Sequence, residues 1–380
     1  MDHSIKDVDH YWMAKAIQLA DKGRFTTSPN PRVGCIIVDE NNQVVGQGFH
    51  KEAGTPHAEV HALRHAEHLA KGATAYVTLE PCSHFGKTPP CADALIDAKV
   101  SRVVVGMNDP NPQVSGRGIQ KLRDAGIEVI SGVLAEQAAA LNKGFIKRML
   151  SGKPYVRVKL GISLDGKIAL GNGNSQWITG PMARKDVQQY RAQSCAVLTG
   201  SGTVIADNPS LLVRPYEAQL REYPVDTLRQ PVRVIVDSQR QVGKHHQCFN
   251  DGFTTYVACC PDKLSEADAL ASPDSTGDNI IIVEERDGRI NLSRLLEKLG
   301  EMQFNEILVE AGPGLAGALL ANEEVDELIC YQAPKLLGDK GVSMVNLPTF
   351  TSLDETISLS LVENRQVGND IKLIYKPLNG

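Results

Sequence analysis

His57-Ala58-Glu59, followed after an apolar run by Pro81-Cys82 and a second thiol at Cys91, gathers an imidazole, two thiols and a carboxylate in one stretch. Zinc favours thiolate and imidazole donors, and a catalytic site keeps three protein ligands so that a fourth position can hold water. His57, Cys82 and Cys91 are the candidate metal ligands; two thiolates and a neutral imidazole cancel the ion's formal charge yet leave it able to acidify water. Glu59 is then free to move protons as the catalytic acid/base. Other readings stay open. His57, His61, His65 and His68 recur at helical spacing, as a solvated stripe or, for the first two, as an i, i+4 metal pair. His84 or Cys35 could close a structural zinc site as a fourth ligand, although Cys35 alone suits a buried strand position.

The H-x-E then P-C pattern fits the signature of zinc nucleobase deaminases, in which the Glu is a general acid/base rather than a ligand. That signature closes with two residues between the thiols. Here Ser83 to Pro90 fill the gap, an insertion expected to shape the substrate pocket.

The elements that must position these groups are legible nearby. Thr55 suits an N-cap and Pro56 the first helical position, which places His57 and Glu59 in a first turn. Thr88 and Pro89 repeat the pattern before Cys91, where a helix start favours a thiolate. Two helix starts would face one ion. Periodicity and turn residues predict a helix over Asp9–Gly23, a hairpin of Cys35–Asp39 with Val44–His50, a helix over Pro56–Ala70, a strand over Thr74–Leu79 and a helix over Pro90–Ala98. Strand Arg102–Gly106, helix Gly118–Ala125, strand Glu128–Ile130 and helix Leu134–Leu150 complete the first half. This rhythm is that of an α/β layer on a mixed sheet, with the loop Gly106 to Pro112 as a pocket wall at a strand's C-terminal end.

Ser151-Gly152-Lys153-Pro154 reads as a linker, dividing the chain into domains of residues 1–150 and 151–380. Beyond it, strands are expected at Tyr155–Gly161, Ala196–Thr199, Val232–Asp237, Thr254–Ala258, Ile280–Val283, Ile307–Glu310, Glu327–Tyr331 and Ile371–Tyr375. Helices are expected at Ala183–Gln193, Ser293–Glu301 and Leu315–Asn322, with 216–229 and 265–278 as surface loop or short helix. This is a second α/β sheet. Gly312-Pro313-Gly314-Leu315-Ala316-Gly317 is formally G-x-G-x-x-G at a strand-to-helix turn, able to hold a pyrophosphate or merely to make a tight turn. Ser238 with Arg240 after a strand could receive a ribose 2′-phosphate. Arg191 and Arg214 could each bind a phosphate or form a salt bridge.

With 380 residues, 42% hydrophobic and 22% charged, the chain can bury sizeable cores. The polar start and the lack of a long apolar stretch point to a cytosolic protein outside the membrane. Eight irregularly spaced cysteines suit reduced thiols and one metal site. The formal net charge of −5, without a Lys/Arg cluster, argues against nucleic acid and for a small-molecule substrate.

Taken together, His57-Ala58-Glu59, Pro81-Cys82-Ser83-His84, Thr88-Pro89-Pro90-Cys91, Gly161 to Gly166, Ser175 to Thr179 and Glu310 to Gly317 resemble the bifunctional riboflavin-biosynthesis deaminase/reductase family over nearly the whole chain. The resemblance implies an N-terminal cytidine-deaminase-like three-layer domain and a C-terminal dihydrofolate-reductase-like α/β domain. The first would use Zn2+ to deaminate 2,5-diamino-6-ribosylamino-4(3H)-pyrimidinone 5′-phosphate. The second would use NADPH to reduce the ribosyl group of the product to ribityl, giving 5-amino-6-ribitylaminouracil 5′-phosphate. By the same resemblance Asn30, His50, Lys87, Asp109 and Asn111 line the deaminase pocket. Gly161, Trp177, Thr203, Asp207 and Ser238 match cofactor positions, as do Gly312, Pro313, Gly314, Leu315, Ala316, Gly317 and Ala318. Ser175, Arg191, Leu211, Arg214 and Glu310 match substrate positions, with Lys159 near the ribose, and the family's habit implies a homo-oligomer. Two other functions fit fewer of these residues: a deaminase with a scaffold for a second half, and a zinc-stabilised module without catalysis.

Overall fold

Strand β1 (Gly34–Val38) is buried at all five positions, because it is covered on both faces. Cys35 and Ile37 pack with Ala58, Ala62 and Leu95 on one side, and Ile36 and Val38 with Met13 and Ala16 on the other. Alternation along the strand thus feeds two cores at once. The computed structural model describes residues 5–83, 89–111, 115–220, 223–226, 228–263 and 279–378. The chain divides into two compact units, Met1–Gly152 with Arg221–Arg229, and Lys153–Leu220 with Gln230–Gly380.

In the first unit β1 joins β2 (Val44–Phe49), β3 (Thr74–Leu79), β4 (Arg102–Met107) and β5 (Glu128–Ser131) in the order β2-β1-β3-β4-β5. β1 is antiparallel to both neighbours, and β3, β4 and β5 are parallel. Helices α1 (Asp7–Ala20), α2 (Ala58–Ala66), α3 (Cys91–Asp97) and α4 (Arg117–Asp124) cover the faces, giving three layers. Glycines let two of these helices lie directly on strands. A Cβ at Gly34 would stand 2.2 Å from Ala16 O of α1, and one at Gly46 or Gly48 would stand 2.3 Å from Ala62 O or 2.5 Å from Ala58 O of α2. Glycine within a strand marks such a close backbone approach. α1 is also anchored by charge: buried Asp9 accepts from Arg102 Nη1 at 2.7 Å and Nη2 at 2.9 Å, and from Tyr76 Oη at 3.0 Å.

The helix expected over Leu134–Leu150 is broken into α5 (Ala135–Leu141) and α6 (Lys143–Ser151). Asn142, at the break, is 4% exposed and holds both polar groups of Arg32's backbone: Oδ1 accepts from Arg32 N at 2.7 Å and Nδ2 donates to Arg32 O at 2.9 Å. A continuous helix would forfeit that pair.

The second unit runs β6 (Tyr155–Ser163), β7 (Lys167–Ala169), α7 (Pro181–Gln193), β8 (Ala196–Gly200), α8 (Ser201–Asp207), α9 (Pro215–Ala218), β9 (Val232–Val236), β10 (Thr255–Cys259) and β11 (Asn279–Ile282). It continues through β12 (Glu285–Arg286), β13 (Arg289–Ile290), α10 (Leu292–Glu301), β14 (Glu306–Val309), α11 (Pro313–Ala321), β15 (Glu327–Ala333), β16 (Val342–Ser343), β17 (Leu359–Val367) and β18 (Asp370–Pro377). The main sheet has the order β11-β10-β9-β8-β14-β6-β15-β18-β17. It is parallel up to β15, and the last two strands are antiparallel. Parallel strands buried on both faces read as continuous apolar runs. Each strand expected there is accordingly present within two residues. The short pairs β12–β13 and β7–β16, helix α8 and strand β17 lack that signal. Residues 265–278 lie outside those described.

Candidate active sites

α2 begins two positions later than Thr55 and Pro56 suggest: His57 is its N-cap, in extended conformation, and Thr55 Oγ1 instead donates to Glu52 O at 2.7 Å. His57 therefore leaves the helix end while Glu59 stays in the first turn. Cys91 is the first residue of α3, and the α3 start sits on Cys82: Ala92 N donates to Cys82 O at 3.1 Å and Cys91 N to Cys82 Sγ at 3.3 Å. The ligating atoms converge. His57 Nδ1 is 3.3 Å from Cys91 Sγ and 3.7 Å from Cys82 Sγ, and all three lie within 4.8 Å of one another. Sulfur and nitrogen donors bound to tetrahedral zinc stand roughly 3.5–3.8 Å apart at ordinary bond lengths, so these residues fit the ion.

Neither Cys35 nor His61 belongs to this cluster among the described residues. Cys35 is fully buried in the core, and burial with the nearby Glu59 charge pushes its thiol up. His84 and Lys87, on the loop between the thiols, lie outside the described residues. The hydrogen bond from Cys91, then His57 and the Cys91 N–H, hold the Cys82 thiol below its usual range, and the same sharing drives Cys91 upward. The Cys82 contact also raises His57, against its burial. Glu59, 3% exposed, is pushed up to about 7, first by burial and then by the Cys82 charge. Burial persists with a cation present, whereas the sulfur's share is reduced by it.

Of the other pocket residues, Asn30 Nδ2 lies 3.0 Å from His50 Nε2, and His50 Nδ1 contacts Pro56 O at 3.2 Å. The His50 ring meets the His57 ring edge to face, with centroids 5.4 Å apart. Burial brings His50 down to about 4, so its ring is neutral. Asp109 and Asn111 belong to one turn, in which Asn111 N donates to Asp109 Oδ1 at 2.8 Å.

In the second unit a cavity of about 1240 Å³ runs along the C-terminal ends of β9, β8, β14 and β6. It exceeds the roughly 300–1,000 Å³ of an ordinary ligand pocket, leaving room for a dinucleotide and a second molecule. Lys159, Gly161, Ser175, Trp177, Arg191 and Thr203 line it, as do Asp207, Leu211, Arg214, Ser238 and Glu310. So do Gly312, Pro313, Gly314, Leu315 and Ala318 at the start of α11. Ala316 and Gly317 do not: both are buried behind that helix, and a Cβ at Gly317 would stand 1.9 Å from Asn346 O. The last glycine of the motif therefore serves packing. Gly312 N donates to Thr203 Oγ1 at 3.2 Å, while nothing lies within 4 Å of a Cβ at Gly314. First-turn N–H groups have no intrahelical acceptor, so those of Gly314 and Leu315 suit a phosphate.

Buried Glu310 accepts from Arg191 Nε at 2.5 Å and Nη2 at 3.1 Å, and Lys159 Nζ stands 3.0 Å away. Against the effect of its burial, these two cations hold its carboxyl well below the usual range. Arg191 Nη1 donates to Leu212 O at 2.8 Å, so its guanidinium is already committed. The Arg214 side chain pairs with exposed Glu217 at 2.7 Å and is itself about half exposed. Arg184 lies 4.4 Å from the Trp177 ring centroid and steadies it at the cavity mouth. Arg240 does not line the cavity.

A family model for the cytidine and deoxycytidylate deaminase zinc-binding region matches residues 6–107, and one for the RibD C-terminal domain matches residues 154–373. The riboflavin biosynthesis protein RibD of Escherichia coli is 51% identical over 96% of this chain and 98% of its own length, and that of Haemophilus influenzae 49% over 97% of each. Among solved structures, a form of Acinetobacter baumannii RibD superposes with a TM-score of 0.87 at 44% identity, covering 97% of this chain and 99% of its own. A diaminohydroxyphosphoribosylaminopyrimidine deaminase/5-amino-6-(5-phosphoribosylamino)uracil reductase from Thermotoga maritima reaches 0.82 at 33% identity, with coverages of 97% and 99%.

One residue escaped the sequence reading. Glu80, 3% exposed at the end of β3, accepts four backbone N–H groups: Gly118 at 2.9 Å and Ile119 at 3.3 Å on Oε1, Gly116 at 2.9 Å and Asp109 at 3.2 Å on Oε2. It ties the Asp109 turn and the start of α4 to the strand that delivers Cys82. The signal was a carboxylate closing an apolar strand, where burial demands partners. Glu80→Ala strands two buried and two part-buried donors and is expected to destabilise the first unit by roughly 3 kcal/mol, with Glu80→Gln intermediate. Denaturant unfolding followed in that unit checks this; an unchanged midpoint for Glu80→Ala would remove the clamp.

Proposed function

The chain belongs to the bifunctional riboflavin-biosynthesis deaminase/reductase family, and from that premise we propose which of its residues carry each reaction. The protein is a zinc-dependent pyrimidine deaminase and an NADPH-dependent reductase, acting in turn on 2,5-diamino-6-ribosylamino-4(3H)-pyrimidinone 5′-phosphate and on its deaminated product. We assign the deaminase to the unit ending at Gly152 and the reductase to the remainder. The convergence of His57, Cys82 and Cys91 in front of buried Glu59 is the observation that carries the assignment.

In the deaminase, His57 Nδ1 and the two sulfurs hold the metal. When bound, zinc supplies the Lewis acidity that makes water a nucleophile near neutral pH. Glu59 takes the proton released as water adds to the ring carbon bearing the amine, then gives one to the departing nitrogen, and ammonia leaves. A buried carboxyl held above its usual range suits both transfers. Asn30 and neutral His50 supply fixed hydrogen-bonding groups beside the imidazole ligand, and Asp109 and Asn111 frame the pocket from the turn that Glu80 anchors.

In the reductase, NADPH supplies the hydride when bound, so the protein's work is orientation. The start of α11 with Thr203 receives the pyrophosphate, Trp177 and Gly161 border the nicotinamide, and Asp207 and Ser238 contact the rest of the cofactor. Lys159, fixed by Glu310, faces the ribosyl group with Ser175 and Leu211 beside it. Arg214 takes the substrate phosphate, with Arg191 behind it as the partner that keeps Glu310 ionised.

No helix among the described residues is long and apolar enough to cross a membrane. All eight cysteines are free, which supports a reducing, cytosolic setting. We also propose a homo-oligomer built through the reductase unit. Its edge strand β17 exposes Leu361 and Val362 at 51% and 52%, beside Ile371 at 46%, and an apolar edge invites a partner strand. Light scattering at micromolar concentration is expected to give a multiple of the chain mass; a strict monomer would sink this part. Glu59→Gln is expected to keep its zinc and lose about 10²–10⁴-fold in ammonia release. Native-rate release with zinc retained would show that Glu59 does not move the protons.

A further inference from the structure

The reductase cavity carries, beside the end of β9, two cations that the assignment above leaves unused. Arg286 and Arg289, on the hairpin β12–β13, line it together with Asp237, Ser238 and Gln239. The hairpin is fastened over the end of β9: Ile290 N donates to Ser238 Oγ at 3.1 Å, and Gln239 Nε2 donates to Gly288 O at 3.2 Å. β9 lies two places from β14 in the sheet, about 10 Å at the ordinary strand spacing. A dinucleotide whose pyrophosphate rests at the start of α11 thus directs one nucleoside towards Lys159 and Glu310 and the other towards β9. The nicotinamide must meet the ribosyl group at the first, so the adenosine ribose goes to the second.

Sites that select NADH place a carboxylate on the ribose 2′-hydroxyl, and those that accept NADPH offer an arginine there. The carboxylate at the end of β9 is withdrawn: Asp237 is 1% exposed, and its Oδ2 accepts from Val242 N at 2.8 Å. Arg286, Asp287 and Arg289 of the hairpin reach the cavity instead. Arg286 is 64% exposed, and its acidic neighbour Asp287, 3.9 Å away and 94% exposed, makes a solvent-screened pair that costs little to break. Ser238 keeps its hydroxyl hydrogen for a phosphate oxygen while its oxygen accepts from Ile290.

We propose that Arg286 and Arg289 clasp the 2′-phosphate of NADPH above Ser238 and set the preference for NADPH over NADH, a role the sequence suggested for Arg240. This rests on the cofactor assignment above. The test measures the affinity of the full chain for NADPH and for NADH separately, by nucleotide fluorescence at two salt concentrations, in the wild type, R286A/R289A and R240A. The double variant is expected to bind NADPH about ten- to a hundredfold more weakly, to hold NADH within about twofold, and to lose most of the salt dependence of NADPH binding. R240A is expected to match the wild type. Retained NADH binding shows that the unit is folded. The proposal is overturned if the double variant binds NADPH as the wild type does, if both nucleotides weaken together, if R240A alone abolishes discrimination, or if the wild type shows none. A wild type that binds neither nucleotide defeats the cofactor assignment itself, and this proposal with it.

Discussion

Two sulfurs and an imidazole within 4.8 Å of one another, the imidazole nitrogen 3.3 and 3.7 Å from the sulfurs, are an arrangement that a chain adopts only under constraint. Thiolates in apolar surroundings are unfavourable without a compensating charge. The constraint comes from backbone rather than from the ligands. α2 lies against β2 through Gly46 and Gly48, so the position of its N-cap His57 follows from the sheet. Cys82 leaves β3 just after Glu80, whose carboxylate fixes both the turn beside it and the start of α4. α3 begins on Cys82 itself. Each ligand thus inherits its place from a different hydrogen-bonded or close-packed backbone, with Glu59 buried beside Cys91.

The second unit solves a similar problem with charge. Its parallel strands end together, and a carboxylate at the end of β14 is buried where it would ordinarily be protonated. Arg191 and Lys159 keep it ionised, and in doing so they give up freedom: Arg191 becomes part of the scaffold, whereas Arg214 stays more exposed. The same strand ends present the first-turn N–H groups of α11 and the hydroxyl of Thr203 to the same cavity.

Much of this was legible in the residues. The zinc triad and Glu59 stood out because few other chemistries need those types so close together, and the parallel strands because burial on both faces writes an unbroken apolar run. What stayed hidden depends on tertiary pairing. Asn142 breaks a helix whose periodicity is continuous, because Arg32, far away in sequence, offers a better bond. Gly317 looks like part of a phosphate motif but exists to let Asn346 approach. Arg240 sits at the right distance along the chain, yet the cavity is lined instead by a hairpin some fifty residues later, too short to leave a strand signal.

The account stands or falls on a metal with one position left to solvent, and zinc K-edge X-ray absorption on the purified, zinc-loaded protein addresses that directly. One zinc per chain with two sulfurs near about 2.3 Å, one imidazole and one further light atom near about 2.0 Å is the expected shell. A shell with three sulfurs, or with two imidazoles, would mean a closed structural site and would contradict it.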